Sequence, residues 1–314
     1  MKEKGKTELF FVMMLLFLFG FSILCDSLLG LLGFSSEQYV HPPNYTEVRK
    51  SIEFEYKFAA NSQGLRYREI PLTKKSPNER RIWVAGDSFT EGWGVEQNET
   101  FSARLESSYS ASENSVYFIN AGLTGTGPLE YMYALFKVGI KSNIDGVLIC
   151  LFANDVQDTP EAVNFTPSFS NYSRITRRGV HYVLHAIYPR TYILIKRIVT
   201  SKKSQQRDII QIASERAKAK GIPESVIQSW AAKVPPKLLD AANKNQFNGG
   251  ILMAGLLQPD YWTNALDIET ELANSKWRNM KSILDFMVEA CRNRDIAVGV
   301  VFIPGAFLYA PGSH

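Results

Sequence analysis

The sequence predicts an α/β protein built on a parallel sheet, and three observations carry that expectation. Short apolar runs recur at Arg81–Ala85, Val116–Ile119, Gly146–Cys150 and Ala297–Ile303, each the length of a buried strand. Helical patterns lie between them: Leu129–Ile140 after the second run, and Ile268–Arg294 before the fourth, with Trp277, Ile283, Leu284, Met287 and Cys291 at helical spacing. The first three runs lead straight into turn-forming or polar segments, so each strand ends in a loop. Strands that alternate with helices close into parallel sheets through right-handed crossovers.

The first run continues as RIWVAGDSFTEGWGV, Arg81 to Val95, and sets Ser88 at the carboxyl end of its strand. Ligands of open α/β sheets bind at that edge, because loops leaving the strand tips line the crevice. Ser88 is therefore a candidate nucleophile. The α/β-hydrolase elbow does not fit, since it needs glycine two residues after the serine and Thr90 stands there. The second run leads into NAGLTGTGP, Asn120 to Pro128, and the third into LFANDVQD, Leu151 to Asp158.

In this order, GDSFTEGWG, the glycine-rich segment around Gly125 and the segment around Asn154 resemble the first three blocks of the SGNH, or GDSL-type, serine hydrolases. The resemblance implies a three-layer α/β/α sandwich with a doubly wound, flavodoxin-like parallel sheet. It makes Ser88 the nucleophile, and assigns the oxyanion hole to the N–H of Ser88, the N–H of Gly125 and the side-chain amide of Asn154. Those residue types suit acyl transfer. A hydroxyl attacks, donors meet the oxyanion that forms, and loss of one such donor typically costs about 10²- to 10³-fold in rate. Glycine lets the backbone approach a ligand closely. Neither a metal nor a cofactor is implied.

The chain has 314 residues, 45% of them hydrophobic, enough for one sizeable core with an insertion or for two modest domains. The formal net charge is only +4, with no long basic run and no basic motif interleaved with aromatics, which argues against nucleic acid as a partner. Lys202 and Lys203 read as a solvated face. Residues 1–34 read as a signal anchor: lysines at the start, then Leu9 to Cys25 without a charge, close to the length a spanning helix needs. Gly20 and Ser22 make only a passable cleavage signal, so the anchor is expected to stay uncleaved. By the positive-inside rule the rest of the chain then lies outside the cytoplasm. Cys25, Cys150 and Cys291 form no paired framework and read as free thiols. Asn44, Asn98, Asn164 and Asn171 begin glycosylation sequons, which matter only in a eukaryotic secretory pathway.

Residues 35–77 read as a stalk and lead-in, with NSQGLRYREIPL, Asn61 to Leu72, resembling the segment that precedes the first block in membrane-anchored members of the family. Gly64 is expected to take a turn there. Residues 78–314 form the hydrolase-like domain, interrupted at about 159–267 by a helical insertion punctuated by Pro223 and the Pro235, Pro236 pair. Tyr182, Tyr188, Tyr192, Trp230, Tyr261 and Trp262 are available there to line a groove for sugars or an acyl chain, although packing within the insertion is the commoner use of aromatics. His181 and His185 share a helix face, but no glutamate gives them a zinc-site pattern, so they read as core or groove histidines.

The resemblance also implies a last block, Asp-x-x-His, in which histidine is the general base and aspartate orients it. It is not in this chain: Pro311 stands three before His314. The expectation is a fragment whose continuation holds the pair; a relic without a base, or substitution by another histidine, are the alternatives. The function implied is hydrolysis of a carboxylic ester outside the cytoplasm, with deacetylation of a surface glycan as the leading substrate. Two alternatives stand: an O-acetyltransferase served by a membrane-embedded acyl-donor partner, and a glycan-binding pseudoenzyme.

Overall fold

The computed structural model describes residues 2–31, 39–69, 71, 77–109, 115–159, 190–191, 194–195, 208–257 and 271–304. His181, His185, Tyr182, Tyr188, Tyr192, Tyr261, Trp262 and the PGSH terminus lie outside them. The chain divides into two compact units, one containing Met1–Glu37 and Thr166–Gln205, the other Gln38–Phe165 and Gln206–His314.

The first unit contains helix α1, Lys2–Leu31, 30 residues long. Asp26, 5% exposed, interrupts its apolar face and is satisfied locally: it accepts from the backbone N–H of Thr191 at 2.7 Å and from the Arg190 guanidinium at 3.3 Å. Among the described residues no helix is long and apolar enough to cross a membrane. Most of the side chains from Lys2 to Leu16, where the apolar run begins, fall outside that description.

The second unit opens on a hairpin. Strands β1, Thr46–Lys50, and β2, Glu55–Ala59, pair antiparallel. The stretch read as a stalk, Ser35 to about Lys57, thus contains most of a hairpin. Glu55–Ala59 alternates, so Tyr56 and Phe58 fall on one face and are 2% and 0% exposed. That buried face makes the hairpin part of the domain. Gly64 takes the expected turn at φ +78°, and Asn61 Oδ1 accepts from the backbone N–H groups of Gln63 and Leu65.

The main sheet has four strands: β3, Glu79–Gly86; β4, Ser115–Gly122; β5, Gly146–Phe152; and β6, Ala297–Ile303. All pairings are parallel and the order is β4-β3-β5-β6. Helix α2, Ser88–Glu91, follows β3 directly, and α3, Phe101–Tyr109, leads back to β4. Helix α4, Pro128–Ala134, runs on through a wider turn at Leu135–Gly139 and a tighter one at Ile140–Ser142 before β5. On one face of the sheet Val84, Phe118 and Cys150 pack against Phe101 and Leu105 of α3. On the other, Trp83 is fully buried against Gly139, where an added Cβ would stand 3.0 Å from the indole. The sheet is thus sandwiched between helices, as an α/β/α layering requires.

Helix α5, Asp155–Asp158, follows β5. In the insertion, residues 208–257 form four helices: α6, Ile209–Ala219; α7, Glu224–Lys233; α8, Pro236–Asn243; and α9, Gly249–Leu257. They bury a core of their own, with Ile209, Ala213, Ala217, Ile227, Ala242, Met253 and Leu256 at its centre. Trp230 packs against that core, donates its indole N–H to the Leu252 carbonyl at 3.1 Å, and also lines an open pocket with Ser225, Val226, Ser229, Lys233 and Gly255. Helix α10, Glu271–Arg292, returns the chain to β6, and its Phe286 meets Phe136 edge-on at 5.7 Å.

Close approach of backbones governs the strand tips. A Cβ on Gly122 would stand 2.1 Å from the Glu91 backbone nitrogen, whereas one on Gly125 would meet nothing within 4 Å. Gly125 instead has φ +75°, a conformation that costs other residues about 1–2 kcal/mol. Gly122→Ala is therefore expected to destabilise the domain by about 3 kcal/mol and Gly125→Ala by about 1 kcal/mol, read by denaturant unfolding. Equal losses would show that the backbones can part at Gly122.

Candidate active site

The order β4-β3-β5 puts the second strand of the sheet on one side of the first and the third on the other. Connections leaving β3 and β5 therefore diverge, and a crevice opens between their carboxyl ends, the topological switch point where ligands of such sheets bind. Ser88 is the first residue of α2 at the tip of β3, and Asn154 precedes α5 at the tip of β5. Gly125 lies in the turn between β4 and α4. The three residues named from sequence thus occupy three neighbouring tips. The register supports this, because Gly86 pairs with Gly122 and Ala85 with Ile149.

Asp87 fixes the start of the turn that bears Ser88. Its Oδ1 caps α2 by accepting from the Phe89 N–H at 2.9 Å, and the side chain is buried. Burial pushes the Asp87 carboxyl up to about 6, opposed by that amide and by the Asn154 side chain. Asn154 also donates from Nδ2 to Asp158 at 3.0 Å, so one of its amide protons already has a partner. Phe89 exposes 48% of its surface and packs at a tilt against Phe152, ring centroids 4.2 Å apart, next to Ser88 in the chain.

Beneath the tips lies a second carboxylate. Asp155 is fully buried, accepting from the Tyr131 hydroxyl at 2.6 Å and from the Phe152 N–H at 2.8 Å. Burial pushes its carboxyl up to about 8, with the Tyr131 hydrogen bond pulling the other way and the charge of Asp87 adding to the rise. Cys150, also buried, is pushed up to about 11.

The residue that sequence reasoning missed is Glu91. It ends α2 and is 0% exposed, yet four donors converge on it. His41 Nε2 lies 2.6 Å from Oε1, and Arg49 Nη1 2.5 Å from Oε2. Thr124 donates twice, from its N–H to Oε1 at 3.2 Å and from its hydroxyl to Oε2 at 2.6 Å. Burial by itself would raise this carboxyl, but His41, Arg49 and Thr124 together hold it down to about 2. Arg66, 1% exposed, completes the junction by donating to the carbonyls of Glu91, Gly92 and Val95. The signal in the sequence was a glutamate one helical turn after the serine together with an arginine in the lead-in, but nothing local paired them.

Among the described residues no group of three or more His, Cys, Asp or Glu side chains is arranged to hold a metal ion. His41, the described histidine, is committed to Glu91.

No protein-family model matches this chain, and no curated protein does. Among solved structures it is similar to the crystal structure of AlinE4, an SGNH-hydrolase family esterase, with 24% identity and a TM-score of 0.24. That match covers 26% of this chain and spans 45% of the other, less than half its length. A mutant of the AlinE4 esterase matches at 16% identity over 70% of this chain and 96% of that one, again with a TM-score of 0.24. Scores this low carry no argument about function, which rests on the site itself.

The raised Asp155 pKa makes a prediction about stability. The folded state keeps a proton that the unfolded chain releases near its ordinary pKa of about 3.9, so this contribution is complete below that value. It is lost as pH rises towards about 8. Asp155→Asn cannot titrate, and its melting temperature is expected to fall less than that of the wild type between about pH 6 and pH 9. Parallel falls would mean that Asp155 is ionised throughout.

Proposed function

We propose that this chain is an SGNH-type serine hydrolase that cleaves a carboxylic ester. One observation carries the reading: Ser88 opens a helix at the switch point of a parallel sheet, flanked by the loops bearing Gly125 and Asn154. In this reading Ser88 Oγ attacks the ester carbonyl and its proton passes to a base. The oxyanion of the tetrahedral intermediate takes hydrogen bonds from the N–H groups of Ser88 and Gly125 and from the Asn154 amide. Collapse expels the alcohol, and water then releases the acid from the acyl-enzyme. Since His41 is bound to Glu91, the proposal places the base outside the described residues.

The proposal extends to location. The sequence of the N-terminal segment is charge-free from Leu9 to Cys25, close to the length a spanning helix needs. We assign it the role of an uncleaved anchor, with the catalytic unit outside the cytoplasm and an acylated surface glycan as substrate. Retention of the full-length chain in membranes after alkaline carbonate washing is the expected result. Release into the wash would remove the anchor from the proposal.

Turnover of a short-chain aryl ester is expected from the full-length protein, and Ser88→Ala is expected to lower it by at least about 10³-fold with the fold unchanged. A fluorophosphonate should label Ser88 and no other serine. Undiminished turnover in Ser88→Ala would end the serine-hydrolase reading.

A further inference from the structure

The four donors around Glu91 come from three separate stretches of chain. His41 belongs to the segment before β1, Arg49 to β1 itself, and Thr124 to the turn after β4. Glu91 stands three residues after Ser88 in the same short helix, and Thr124 is the immediate neighbour of Gly125. One buried carboxylate is therefore the shared anchor of the nucleophile helix, the glycine loop and the lead-in.

We propose that Glu91 is a positioning residue: by gripping Thr124 through both its N–H and its hydroxyl, it sets where the Gly125 amide stands relative to Ser88, and His41 and Arg49 hold the grip in place. The inference rests on the reading of Gly125 as an oxyanion donor.

Three features make the grip specific. A carboxylate is acceptor-only, so all four donors are satisfied together; a carboxamide at the same place would turn an N–H₂ towards at least one of them. Elsewhere the turn is held by the Leu123 N–H donating to the Gly86 carbonyl at 3.0 Å and by the Thr126 hydroxyl donating to the Leu123 carbonyl, whereas Thr124, next to Gly125, is held by Glu91. The carboxylate cannot readily swing away, because the Glu91 backbone is pressed against Gly122 and its carbonyl is held by Arg66 at 2.9 Å. A misplacement of about 1 Å at an oxyanion donor is enough to lower a rate about 10²-fold.

The test uses the full-length protein and two readouts. Thr124→Val keeps the shape of the side chain and removes the hydroxyl, Thr124→Ser restores it, and Glu91→Gln disturbs all four contacts. Hydrogen exchange of the amides at 123–126 is expected to quicken by about tenfold in Thr124→Val. For the aryl ester, kcat is expected to fall by about tenfold or more while KM moves by less than about threefold, and Thr124→Ser should recover most of both losses. Glu91→Gln should shift both readouts in the same direction and further. Unchanged exchange in Thr124→Val would overturn the grip. Faster exchange with kcat intact, in a protein that Ser88→Ala inactivates, would overturn the positioning role and leave a structural bond. If Ser88→Ala keeps its activity, the oxyanion assignment and the positioning role fall together, while the exchange result still decides whether Glu91 holds the turn.

Discussion

A carboxylate with no access to water must be met by donors, and in this domain that requirement falls on Glu91. Leaving one of its partners out would strand a buried charge, an error that typically costs about 3–5 kcal/mol. The arrangement therefore couples events that are distant in sequence. The hairpin can dock only where Arg49 reaches the carboxylate, and the turn after β4 must present Thr124 to it. Arg49 in turn lies 3.9 Å from the Phe58 ring, so the same guanidinium ties the hairpin's own buried face to the junction. The lead-in is best understood as a wall of the site built from the N-terminal side.

Small residues make this convergence possible. Gly86 and Gly122 pair directly across two strands, and each lies where a Cβ would strike Thr90 or the Glu91 backbone. The first turn of α2 can therefore rest on the tip of β4. Such contact is what places a helix start, with its unpaired N–H groups, at the mouth of the crevice. Ser88 sits at that start, and the Asp87 cap holds the turn in its register.

The polar layer under the tips has a different electrostatic character. Glu91 is surrounded by cations and donors and is held ionised, whereas Asp155 meets a neutral hydroxyl and an amide and is raised by burial. Two carboxyls a few residues from the same strand ends are thus driven in opposite directions by what faces them. Divergence of this kind is common where a fold prepares a site for acid and base chemistry.

Much of this was legible in the sequence. The apolar runs at Arg81–Ala85 and Gly146–Cys150 became β3 and β5 because a strand buried on both faces needs continuous apolar residues, whereas Ala297–Ile303 became β6, the last strand in the sheet order, with most of its residues exposed. Ser88 could be placed at a strand end because turn chemistry after a strand is local, Gly125 and Asn154 were named by the resemblance to the SGNH blocks, and the sheet order then brought the three tips side by side. The hairpin was not legible: Thr46–Lys50 is polar on both faces, and only Tyr56 and Phe58 packing into the domain reveal the pair as structure. Trp230 carried both readings, groove and packing, because an aromatic looks the same in sequence whether it lines a ligand site or packs a core. Glu91 read as one more polar residue in a turn, since nothing within a few positions of it carries a positive charge. Local pattern fixes strands, helices and turns, because the forces that choose them act over a few residues. Only the tertiary structure could decide that His41, Arg49 and Thr124 meet one buried carboxylate, because a long-range ion pair leaves no periodic trace in the chain.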